Sequence, residues 1–256
     1  MKIADCHMHS FFSSDSEAPT EEMVKRAVEL GLPAICLTDH YDMDYSTGEF
    51  QLDTPAYAAK IRELQEKYRG RIDIRFGVEL GLQLHLKERM EEYVNAWPFD
   101  YVIGSMHVID GKDPYYEDAF PDWTAEELYR AYFRATAENI RFFHNFQTLG
   151  HLDYVVRYCR EKGEKDYSYR AFADEIDTIL KRADSVRYRA GNQHRRLQGR
   201  PWRAESDAGC HQKIPGTGRR KDHLRCRCPQ TGTYSVSFRG RGSYRAGSRI
   251  PVLRAV

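Results

Sequence analysis

The chain has 256 residues, enough to bury a substantial core as one large domain or two small ones. It holds no apolar run of the ~18 residues that a membrane-crossing helix needs, and its N-terminal MKIADCHMHS lacks the apolar stretch of a secretory signal, so a cytoplasmic protein that does not cross a membrane is expected. The net charge of +1 conceals an asymmetry, because residues 1–182 carry 22 Lys and Arg against 34 Asp and Glu while residues 183–256 carry 17 against 4.

Residues 1–182 read as strand and helix in alternation. KIADC (2–6) is a short apolar run bounded by polar residues, the pattern of a buried strand. A helix follows, with Thr20 as its cap, Glu21 and Glu22 in the first turn and Gly31 at its end. PAICLTDH (33–40) is the second strand, and Thr54-Pro55 opens a helix that runs to about Tyr68 with proline at its first position. IDIRFGVEL (72–80), the helix LKERMEEYVNAW, and FDYVIGSMH (99–107) come next. A long helix near 124–143 opens on Thr124-x-x-Glu127, a capping box. FQTLGH (146–151) is the fifth strand and YRAFADEIDTILKR (169–182) a final helix. Such alternation indicates parallel βα units, and five of them with short connections favour a barrel over an open doubly wound sheet. No glycine-rich phosphate loop follows any strand, which argues against a nucleotide-binding domain of the Rossmann or P-loop kind.

Each predicted strand ends in a candidate metal ligand: His7 and His9, then His40, Glu79, His107 and His151. In a barrel of parallel strands the carboxyl ends share one face, and that face carries the site. Side-chain direction alternates along a strand, so His7-x-His9 projects two imidazoles the same way. One catalytic zinc normally takes three protein ligands, so six candidates fit two or three divalent ions better, with Glu79 as the bridge. Zinc, manganese and iron all suit such a donor set. Asp15 is explained as well by a serine-rich loop as by ligation. His85 and His144 read as ordinary helix or loop residues, and Cys6 and Met8 alternate away from the histidine face toward the core. The six cysteines (6, 36, 159, 210, 226 and 228) follow no disulfide framework and read as reduced thiols.

The stretches ADCHMHS, LTDHYD, FGVELGL, VIGSMHVIDG and LGHLDYVVRY, in this order over residues 4–158, resemble the PHP family, named for polymerase and histidinol phosphatase domains, and most of all its histidinol-phosphatase branch. The resemblance implies a distorted, TIM-like parallel βα barrel with a trinuclear metal site. It places His7, His9, His40, Glu79, His107 and His151 at ligand positions, adds Asp15 as a further ligand, and assigns Arg157 to the substrate phosphate, whose oxygens a guanidinium grips in bidentate fashion. The reaction implied is metal-dependent hydrolysis of a small phosphomonoester, L-histidinol phosphate, in histidine biosynthesis. A phosphoesterase acting on nucleotides or nucleic-acid ends is the alternative within the family.

The family pattern stops near Arg182, where relatives are expected to continue with further βα units and an Asp-x-His motif. Residues 183–256 contain neither, have only ten Leu, Ile, Val and Phe, and 15 of their 17 cationic residues are arginine. The barrel is therefore expected to be incomplete at its C-terminal end, and activity and stability to be impaired. A shift of reading frame accounts for this segment: read one base later, codons chosen for KDHLRCRCPQT yield KITFGADAHKP, with the missing Asp-Ala-His. A basic nucleic-acid-binding tail is the rival reading, with Cys210, His211, His223, Cys226 and Cys228 as a zinc module of no common spacing; nucleic acid is not the expected partner.

Overall fold

The computed structural model describes residues 4–116, 118–158 and 168–183. The readings made for residues 184–256, as a domain of its own, a shifted frame, a basic tail or a zinc module, lie outside the described residues.

Five parallel strand positions form one sheet in the order β1 (Asp5–Met8), β2 (Ala34–Leu37), β4 (Asp73–Gly81), β5 (Tyr101–Ser105) and β6 (Thr148–Leu149), with β3 (His40–Tyr41) paired to β4. All pairings are parallel, and the sheet curls into a half barrel. The helices α1 (Thr20–Glu29), α2 (Thr54–Lys67), α3 (Lys87–Ala96) and α4 (Ala125–Phe142) supply the crossovers, and residues 173–183 form α5 after a 3₁₀ turn at Tyr169–Phe172. Among the described residues no helix is long and apolar enough to cross a membrane.

The longest strand shows how the sequence divides between core and site. Along β4, Ile74, Phe76, Val78 and Leu80 are buried in an apolar core shared with Tyr57, Ile61 and Leu64 of α2. Fully burying a side chain of this size stabilises by about 1.5–3 kcal/mol, so α2 is fixed on the sheet chiefly by this face. The alternate residues Gly77, Glu79 and Gly81 face the other way, and the two glycines leave room on either side of the carboxylate. A Cβ at Gly77 would come within 2.6 Å of Cys36 Sγ, and one at Gly81 within 2.0 Å of Asp42 Oδ1.

Several boundaries differ from the sequence reading. The strand expected at 33–40 is interrupted at Thr38-Asp39, although β2 and β3 keep one register against β4, with Leu37 opposite Phe76 and His40 opposite Glu79. At the interruption these residues bond on both sides: Thr38 N–H donates to Met8 O, the Asp39 carboxylate accepts Ser10 N–H at 2.6 Å, and the Asp39 carbonyl accepts Glu79 N–H of β4 at 3.1 Å. Thr20 does not cap α1. Pro19 holds the N-cap position, and the Thr20 hydroxyl donates to Ser10 Oγ at 3.1 Å. Asp53 rather than Thr54 caps α2, accepting Ala56 N–H at 3.0 Å. The capping box of α4 forms as expected, with Glu127 N–H on Thr124 Oγ1 and Thr124 N–H on Glu127 Oε2. Gly31, at φ +69°, turns the chain out of α1 in the left-handed region that glycine adopts without strain. Met8 is buried as expected, whereas Cys6 is only partly buried.

Candidate metal centre

All six strand-end candidates meet at the carboxyl ends of the strands. His7 lies within β1 and His9 one residue past it, and their common direction brings both Nε2 atoms to a single oxygen, Glu79 Oε2, at 2.6 and 2.8 Å. The other carboxylate oxygen, Oε1, stands 3.1 Å from His151 Nε2 and 3.3 Å from His107 Nε2. Glu79 therefore presents a separate pair of imidazoles to each of its oxygens. His40 closes the group from β3, its Nε2 lying 3.8 Å from Glu79 Oε2 and 3.6 Å from Asp15 Oδ2. Asp15 joins the cluster, since the same Oδ2 is 3.0 Å from His9 Nδ1. Glu79 is not at a strand end but inside β4, while His107 and His151 sit two residues beyond β5 and β6. His85 and His144 fall outside the metal-ligand groupings found among the described residues.

So many ionisable groups packed together, all of them buried except the exposed Asp15, strongly perturb one another. Burial opposes charge on His9, His40 and His107, but nearby carboxylates outweigh it. Asp15 and Glu79 lift His9 to about 9, Glu79, Asp15 and Asp42 lift His40 to about 10, and Asp42 and Glu79 lift His107 to about 10. His151 goes the other way, to about 4, because burial dominates. Burial would raise the carboxyls, yet Glu79 is held well below the usual range by His7 and His40, Asp15 by His40 and His9, and Asp42 at about 2 by His107.

The structure adds supports that the sequence reading missed. Asp42 Oδ1 lies 2.7 Å from His107 Nδ1, and its Oδ2 3.4 Å from His40 Nδ1. The Ser105 hydroxyl donates to Glu79 Oε1 at 2.6 Å. Both were accessible to the period-two argument that joined His7 to His9, because Asp42 stands two residues after His40 and Ser105 two before His107. Tyr132 of α4 places its hydroxyl 3.1 Å from Met106 O and 3.2 Å from His151 O, donating between the two loops that carry His107 and His151. No local pattern announces that contact, which depends on how α4 packs.

The flank of the cluster is aromatic. The Tyr154 ring lies 5.3 Å from His107 and 5.1 Å from His151, and its hydroxyl, with that of Tyr45, donates to the buried Asp113 carboxylate. Arg157, in the 3₁₀ turn Tyr154–Tyr158, places its guanidinium carbon 6.0 Å from the Tyr154 ring centroid. A separate concavity of about 520 Å³, bordered by Pro33, Arg69 and Arg75, lies toward the amino ends of β2 and β4, away from this cluster.

The donor set fits divalent cations. His7 Nδ1, His40 Nδ1, His107 Nε2, His151 Nδ1 and Asp42 Oδ2 are buried without a hydrogen-bond partner, where such atoms are ordinarily paired. Four overlapping triplets, His7–His9–Glu79, His9–Asp15–His40, His40–Asp42–His107 and Glu79–His107–His151, each offer three ligand atoms within 4.8 Å of one another. Imidazole mixed with carboxylate is a donor set for zinc, manganese or iron.

Known proteins share this arrangement of sequence and fold. The histidinol-phosphatase of Lactococcus lactis subsp. lactis (strain IL1403) is 37% identical over 164 residues, 62% of this chain and 59% of the relative. A probable histidinol-phosphatase of Clostridium acetobutylicum is 31% identical over 180 residues, 70% of this chain and 68% of the relative. The chain thus spans about three fifths of the length of the first of these relatives and two thirds of the second. The crystal structure of histidinol phosphate phosphatase from Lactococcus lactis, complexed with zinc, L-histidinol and phosphate, superposes with a TM-score of 0.69 at 33% identity, covering 72% of this chain and 70% of that one. A putative histidinol phosphatase of Listeria monocytogenes shares the fold at a TM-score of 0.62 and 18% identity, covering 71% of this chain and 79% of that one. The PHP domain family matches residues 5–187, and the chain belongs to that family.

Proposed function

We propose that this chain is a metal-dependent phosphomonoester hydrolase and that its substrate is L-histidinol phosphate. The observation that carries the reading is the division of Glu79, with His7 and His9 on one oxygen and His107 and His151 around the other. A carboxylate so shared is the arrangement of a bridge between two cation positions, and Asp15 with His9 and His40 offers a third. Two or three divalent ions are therefore assigned to His7, His9, Asp15, His40, Glu79, His107 and His151. When bound, they would lower the pKa of a water and neutralise charge on the phosphoryl oxygens.

The protein side chains have distinct tasks in this reading. Glu79 and Asp15 offset the positive charge of the site. The aromatic flank of Tyr154 limits water access beside His107 and His151. Arg157, beside the Tyr154 ring, is assigned to the substrate phosphate, two of whose oxygens a guanidinium can grip. The likeness to the Lactococcus lactis enzyme, whose crystal structure holds L-histidinol and phosphate, supports the choice of substrate.

Phosphate release from L-histidinol phosphate, measured with added manganese or zinc beside nucleoside monophosphates and short oligonucleotide ends, tests the reading. Metal-dependent turnover is expected to fall preferentially on L-histidinol phosphate, at a rate below that of the Lactococcus lactis enzyme, because residues 183–256 hold no Asp-x-His motif. Preferential turnover of nucleotides would replace the substrate assignment with the alternative one.

A further inference from the structure

We infer that Asp42 is a positioning residue of the metal centre, which fixes His107 through its Nδ1 so that Nε2 is the ligand atom, and that Gly81 is glycine in order to admit it. The inference rests on the metal-holding reading of the site and not on the choice of substrate.

The geometry separates the two nitrogens of His107. Nδ1 lies 2.7 Å from Asp42 Oδ1, a charge-assisted hydrogen bond, while Nε2 stands 3.3 Å from Glu79 Oε1 without a hydrogen bond. A carboxylate on one ring nitrogen fixes the tautomer, holds the ring plane and makes the opposite nitrogen a better ligand. Asp42 is suited to this because its side chain is 3% exposed and its backbone is tied down on both sides: its N–H donates to Phe50 O, and its carbonyl accepts Gln51 Nε2 at 3.0 Å. Its second oxygen faces His40 Nδ1 at 3.4 Å, so one aspartate adjoins an imidazole of β3 and one just beyond β5.

Gly81 explains how the carboxylate gets there. Extending the shared register of β3 and β4, in which His40 faces Glu79 and Tyr41 faces Leu80, sets Asp42 beside Gly81. A Cβ on Gly81 would meet Asp42 Oδ1 at 2.0 Å, Cγ at 2.5 Å and Cβ at 3.2 Å, so even alanine must displace the carboxylate. Gly81 has no left-handed backbone angle to account for it, so space is the reason for glycine here.

The test uses the full chain with zinc alone and no substrate. In zinc-loaded protein, long-range ¹H–¹⁵N spectra of the histidine side chains are expected to show His107 protonated on Nδ1 and metal-shifted on Nε2. Asp42→Ala and Gly81→Ala, the latter at a position that offers no ligand atom, are each expected to weaken zinc binding in chelator competition by about 10- to 100-fold, the usual effect of losing such a support. His107 protonated on Nε2, or zinc held as tightly by both variants, overturns the inference while leaving the metal reading intact. If the wild-type chain binds no zinc, both fall. Should a variant not fold, the wild-type tautomer still decides.

Discussion

Replacing Glu79 by glutamine keeps the shape of the side chain and removes one charge. Glu79 is completely buried and is the anion around which His7, His9, His40, His107 and His151 gather, at N–O distances from 2.6 to 3.8 Å. Breaking a buried ion pair from one side costs about 3–5 kcal/mol, and an amide that still accepts the Ser105 hydroxyl places this case near the lower figure. At about 2–4 °C per kcal/mol for a domain of this size, the metal-free variant should melt roughly 6–12 °C below wild type. The loss depends on pH in a definite direction. His9, His40 and His107 titrate in the folded protein near 9, 10 and 10, against an ordinary 6.5, so their pairing stabilises fully below 6.5 and is lost as pH rises through the folded values. The gap between wild type and Glu79→Gln should therefore be widest near pH 6 and nearly closed by about pH 10. Thermal melts followed by circular dichroism, with chelator present, measure it. Equal gaps at both ends of that range would refute the ionic account of the cluster.

Other consequences are accessible to simple measurements. Zinc added to chelated protein at neutral pH should release protons, because His9, His40 and His107 must give up those they hold below about 9 to 10, and affinity should climb with pH; calorimetry in buffers of different ionisation heat would detect uptake without release, which contradicts this. Chelation should abolish phosphate release from L-histidinol phosphate, and manganese or zinc should restore it; activity that survives chelation removes the metal from the account. Arg157→Ala should lower kcat/KM roughly 10- to 100-fold, the equivalent of about 1.5–3 kcal/mol for a hydrogen bond to a charged group, and Arg157→Lys should recover only part of it because the bidentate fork is lost. Thr124→Ala removes the cap of α4 and should cost about 1 kcal/mol, visible as a melting shift with unchanged zinc affinity.

The parts of this protein that can be read from its sequence are those governed by periodicity. The alternation of strand and helix and the convergence of His7, His9, His40, Glu79, His107 and His151 follow from side-chain direction and parallel connection, and the capping box at Thr124 and Glu127 from its local spacing. What escaped were contacts that depend on two elements at once. Thr20 looks like a helix cap, yet its hydroxyl donates to Ser10 across a loop, and Asp53 caps α2 one residue before Thr54. Asp39 lies in the break between β2 and β3, where its carboxylate accepts Ser10 N–H from the loop after β1. For Asp42 the spacing from His40 gives its side of the strand, but the room for its carboxylate comes from Gly81 on β4. Tyr132 carries no local signal at all, since its value to the site lies in two carbonyl groups separated by more than forty residues.

Metal content per chain tests the central claim most directly. Purified protein loaded with zinc and freed of excess should carry two or three ions by elemental analysis, and Glu79→Gln, which weakens the shared ligand of both imidazole pairs, should carry fewer. A wild-type chain that emerges with no bound metal, or a variant that retains the full complement, would contradict the account.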